Sequence, residues 1–149
     1  EFARAEPLWR QCLNANPARL SYFDRGGLVV NFSYNLLAQG RPGDAYALLS
    51  EFADYPLLER QRIEADYNRA VAARAIGRPG EALPLFQAYA ERNPTDASCR
   101  FLMGVAAAEL ERWDVARDAF EAYLDLAPDA PDRADVETEL ARIRSKLGE

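Results

Sequence analysis

The chain has no histidine and a single lysine, Lys146. Without histidine, every Ser-His and Cys-His nucleophile arrangement is excluded. No serine stands in a nucleophile elbow, and nothing in the pattern presents two carboxylates to one cavity as paired acid–base chemistry requires. Cysteine is sparse as well. Cys12 and Cys99 both fall in helical patterns and read as buried free thiols rather than a disulfide or a metal pair. Two such residues decide no compartment. The reading leans to the cytoplasm, with the periplasm as the alternative if a leader has been removed. No apolar run approaches the length of a membrane span, and no signal peptide is visible. There is no basic face either. The arginines are scattered along a chain of net charge −6, which argues against nucleic acid as the main partner.

What is present is a folded composition of 49% hydrophobic and 28% charged residues, ruling out disorder. It is organised as near-repetition. Gly40-Arg41-Pro42-Gly43-Asp44-Ala45 returns as Gly77-Arg78-Pro79-Gly80-Glu81-Ala82, and the frame Ala82, Phe86, Pro94 returns as Ala116, Phe120, Pro128. Self-similarity at this period predicts stacked helical hairpins, an architecture that offers surfaces more readily than enclosed sites.

Residues 97–130 are the clearest repeat. Thr95 and Asp96 can cap a helix bearing Phe101, Leu102, Val105 and Leu110, with Gly104 where a neighbouring helix comes close. Glu111-Arg112-Trp113-Asp114 makes the turn, and Val115 to Leu124 form the second amphipathic face before Pro128. Residues 63–96 follow the same plan, with Gly77 as C-cap and Pro84 in the opening turn of the second helix. Residues 26–59 are the loosest copy, and Tyr55-Pro56-Leu57-Leu58 is either looped or a helix lengthened by one turn.

Residues 1–17 match a second helix whose first helix is missing, which suggests a longer parent chain. Residues 18–27 read as an inserted loop. Residues 132–147 read as a capping helix with the stripe Val136, Leu140, Ile143, Leu147 and Asp132 as its cap. Together these make one domain over residues 1–149. The Asp125, Asp129, Asp132, Asp135 cluster lacks calcium-loop spacing, and Gly-Arg-Pro-Gly lacks the Lys-Ser or Lys-Thr of a phosphate loop. No metal and no cofactor are expected.

The slots Gly104, Ala116, Phe120, Pro128, then Ala70, Ala82, Phe86, Pro94, and more loosely Ser33, Ala45, Leu49, resemble the tetratricopeptide repeat. The resemblance covers about residues 1–130. It implies an all-α, right-handed solenoid of helix–turn–helix repeats whose first helices line a concave groove that binds a protein or an extended peptide. Carried onto this chain, the groove residues are Asn31, Tyr34 and Leu37 with Val30, then Glu64, Tyr67, Asn68, Val71 and Arg74, then Phe101 and Val105 with Ser98, Ala108 and Glu109.

Asn31 and Asn68 fill equivalent slots, where the family often hydrogen-bonds a peptide backbone. The carboxylate clamp of the chaperone-binding members is absent, because Val30, Tyr34, Ser98 and Leu102 stand in its places. Tyr34, Tyr67 and Phe101 are either peptide anchors or inter-repeat packing, and solvent exposure separates the two. The expected role is a non-catalytic interaction module of a larger bacterial scaffold or assembly protein. The alternatives are a small secretion chaperone of this repeat type, or a non-catalytic domain of a multidomain enzyme or envelope-assembly protein.

Overall fold

The computed structural model describes residues 2–14 and 22–149, and all regular structure among them is helical. Two compact units divide at Gly77. The first holds α1 (Phe2–Asn14), α2 (Tyr22–Ala38), α3 (Pro42–Glu51) and α4 (Glu59–Ala75). The second holds α5 (Pro79–Arg92), α6 (Ala97–Glu109), α7 (Trp113–Leu126) and α8 (Arg133–Leu147). In the first, α2 packs against α1, α3 and α4; in the second, α6 packs on α5 and α7, and α7 on α8.

The small-residue slots explain this packing. Ala45, Ala70, Ala82 and Ala116 are all buried, as are Ser33 and Gly104, so helix backbones approach where no long side chain intervenes. In the first unit Phe32, Leu36, Ala45 and Ala72 form one core, and Trp9 of α1 stacks on Phe32 at 5.8 Å. Glu6 of α1 pairs with Arg41 in the turn before α3, and Arg41 also bonds Asp44 at 2.6 Å. Arginine hydrogen bonds hold the Glu6 carboxyl below its ordinary range.

The turns follow their residues. Pro42 and Pro79 open α3 and α5, where a missing N–H is harmless. Gly40 and Gly77 have φ of 71° and 78°, the left-handed conformation that ends a helix without a Cβ penalty. The third repeat puts Glu111 at the same station with φ 57°, its N–H bonded to the Ala108 carbonyl at 3.0 Å as Gly77 bonds Arg74 at 2.9 Å. Glutamate is strained there. Glu111→Gly is therefore expected to stabilise the protein by about 0.5–1 kcal/mol, despite the freer unfolded chain. Urea unfolding with an unchanged slope and a higher midpoint is the expected readout.

The structure departs from the repeat pattern at three places and resolves a fourth. Of the expected inserted loop 18–27, residues 18–21 lie outside the described residues, but Tyr22 to Gly27 are the first turns of α2. The double glycine does not break that helix, because packing overrides its low propensity. A Cβ on Gly26 would come 2.1 Å from Gln61 Oε1 and 2.9 Å from Leu57 Cδ2, so any side chain there would have to displace the ends of both. That Gln61 oxygen accepts the Leu58 N–H at 3.1 Å, half of a capping box.

The hinge 55–58 combines the loop with the longer helix. It is a loop, tied down by Arg62 donating to the Ala53 and Tyr55 carbonyls at 2.6 Å each, and α4 beyond it begins at Glu59, a turn earlier than the expected repeat. Pro84 sits sixth in α5, past the opening turn. Cys12 is exposed rather than buried. Cys99 is buried, its thiol pushed up to about 12 by desolvation and by the charge of Asp96, so it carries no thiolate at neutral pH.

Candidate partner-binding surface

In the first unit the candidate residues divide into two groups. Tyr34 is 63% exposed and Asn31 is exposed, both on α2. Leu37 is half-buried against the Phe32 core. On α4, Glu64 pairs with Arg60 at 3.0 Å, while Tyr67, Val71 and Arg74 are half-buried. Asn68 departs from its expected role. It is 7% exposed, and its amide nitrogen donates to the Val30 carbonyl at 3.3 Å and to Ser33 Oγ at 2.9 Å. An amide has two N–H donors. Both of those in Asn68 face α2, so it locks α4 to α2 and has none left for a peptide backbone. Asn31, its equivalent by register, has no such neighbour among the described residues and faces solvent. The same slot therefore carries one interior and one surface asparagine.

The second unit concentrates the geometry. A cleft of about 500 Å³ lies between α6 and α8 over α7. Phe101, Val105 and Ala108 from α6, Phe120 from α7 and Val136 from α8 give it apolar walls. Phe101 is tilted against Tyr123 at 5.3 Å and edge-on to Phe120 at 6.0 Å, so its ring is both packed and partly open. The two possibilities for this aromatic are not exclusive.

Charged groups ring the opening: Glu109, Asp132, Asp135, Glu139 and Arg142. Glu139 accepts from Arg142 at 2.9 and 2.5 Å, which holds its carboxyl below the ordinary range. The same guanidinium lies 5.3 Å from the centre of the Trp113 ring. Asp132, at the N-cap of α8, leaves the helix N–H groups alone and instead accepts the Tyr123 hydroxyl at 2.6 Å, raising that phenol's pKa. Asp96 does both jobs at the start of α6, accepting from Cys99 N–H at 3.0 Å and from the Tyr89 hydroxyl at 3.1 Å.

Phe101, Val105, Ala108 and Glu109 are residues that the repeat frame assigns to the groove. The α8 contributions lie outside that assignment, because the stripe of α8 marks it only as a cap. That stripe does pack inward through Val136, Leu140 and Ile143. The signal for its second face lies in the period. Thirty-four residues beyond Phe101, Val105 and Ala108 stand Asp135, Glu139 and Arg142, all three in the cleft. A capping helix occupies the place of one more first helix.

The tetratricopeptide repeat profile matches residues 31–97 and 67–131. The chain belongs to the tetratricopeptide repeat family. No curated protein matches by sequence. Among solved structures it is similar to MamA AMB-1, at 22% identity and TM-score 0.77, covering 99% of this chain and 74% of that one. A second MamA structure gives 18% identity and TM-score 0.78, covering 99% and 79%. The first tetratricopeptide domain of Spaghetti (RPAP3), bound to the HSP90 peptide SRMEEVD, gives 18% identity and TM-score 0.67 over 83% of this chain and 94% of that one. At these identities the likeness concerns the fold, which is the all-α tetratricopeptide arrangement expected from the repeats. Among the described residues no helix is long and apolar enough to cross a membrane.

Proposed function

We propose that the chain is a non-catalytic interaction module that holds a partner polypeptide on its first-helix faces. The observation that carries this reading is the α6–α8 cleft, an apolar trough in register with the repeat frame. Peptide-sized grooves with apolar floors and a few polar groups at the edge are a recurring recognition mode. In the first unit, exposed Tyr34 and Asn31 extend the candidate set, joined by half-buried Leu37, Tyr67, Val71 and Arg74 and by Glu64. Asn68 is a positioning residue in this reading. The tetratricopeptide domain of RPAP3 holding a peptide supports the class of partner.

The test is selection of a random dodecapeptide phage library on the whole protein, followed by rebinding to Val105→Gln, which removes the apolar contact and leaves the charge unchanged. A longer polar side chain in the trough is expected to abolish retention of the selected peptides while circular dichroism stays helical. Peptides retained equally by a folded Val105→Gln variant would place binding elsewhere.

A further inference from the structure

We infer that the α6–α8 cleft is selective for a basic, apolar segment: an extended stretch in which lysine or arginine stands beside a bulky aliphatic or aromatic residue. The inference rests on the reading of this cleft as a polypeptide site and adds the sign of the partner's charge.

Three carboxylates at the α8 side, of Asp132, Asp135 and Glu139, line the cleft with one guanidinium, that of Arg142. The guanidinium is already committed. It bonds both oxygens of Glu139 and lies over the Trp113 ring, so it offers an incoming anion little that is not in use. Asp135 has no ion-pair partner among the described residues and is exposed at the first turn of α8. The apolar floor lowers the local dielectric, so charges at the edge act more strongly on a bound group than they would in open water. An entering lysine or arginine meets net negative potential with its aliphatic stem along Val105, Phe101 and Val136. An acidic segment such as the SRMEEVD peptide in the RPAP3 domain would set like charges together.

The dodecapeptide selection tests this by the composition of what it enriches. The expected winners carry a net positive charge, with lysine or arginine adjacent to Leu, Ile, Phe or Trp. Their affinity falls as salt rises, and Asp135→Lys weakens them about tenfold or more by reversing one edge charge. Asp135 is exposed, so this variant is expected to fold, which its circular dichroism checks; the conservative Asp135→Glu keeps the affinity. Neutral or acidic winners that Val105→Gln still abolishes would overturn the charge selectivity and leave the peptide-binding reading standing. Winners indifferent to both Val105→Gln and Asp135→Lys would overturn both. Winners lost with Val105→Gln but unmoved by Asp135→Lys and by salt would show apolar docking alone and also end the inference.

Discussion

Gly104→Leu is expected to destabilise the protein by about 1–3 kcal/mol through overpacking. A Cβ at this position would fall 2.9 Å from two carbons of the Phe120 ring and 3.0 Å from a third, inside any ordinary carbon–carbon contact. The ring cannot simply swing aside. It is 2% exposed and packs edge-on against Phe101. The rest of the leucine side chain must then enter an interior packed near crystalline density, so α6 and α7 must separate. A lower urea midpoint for the variant is the measurement, and a melting profile like the parent's would mean that the helix register is misplaced.

Phe120→Ala is expected to cost more, about 3–5 kcal/mol, the range for emptying a buried aromatic site. Phe120 fills the space that Gly104 leaves, carries Phe101 on its edge and floors the cleft between α6 and α8. Its removal loses transferred apolar surface and leaves a void that the surrounding helices close only in part. The two substitutions are coupled because each is wrong for what the other residue does. In the double variant, the leucine introduced in place of Gly104 occupies part of the void left by Phe120. The total destabilisation should fall short of the sum of the singles by more than the few tenths of a kcal/mol typical of independent sites. Strict additivity in a double-mutant cycle would show that Gly104 and Phe120 do not share the contact.

Both predictions arise from slots that are visible in the sequence. Spacing alone marks Gly104 as a close-approach residue and Phe120 as the aromatic four residues after Ala116, because a repeat repeats its packing constraints with its residues. The turns are equally legible where glycine and proline mark them. They are harder to read where Glu111 takes the left-handed station that Gly40 and Gly77 hold elsewhere, since hydrogen bonding of the turn, not the residue's preference, sets that φ. The cleft is half legible. Its α6 wall follows from the repeat frame, whereas its α8 wall emerges only when the period is run one repeat beyond the last closing proline.

By itself the chain of residues determined the helical hairpins, their period, the small-residue contacts and the family, because these depend on local propensity and on spacings that any copy of the repeat must satisfy. Only the tertiary structure decided which way equivalent residues serve. Asn68 points into α2 while Asn31 meets water, Tyr22 to Gly27 continue α2 with Gly26 set against Gln61 and Leu57, and Arg142 is drawn to Glu139 and Trp113 at the edge of the cleft. Each of those outcomes is set by a neighbour on another turn or another helix, and a residue's own identity and spacing do not encode which neighbour it will meet.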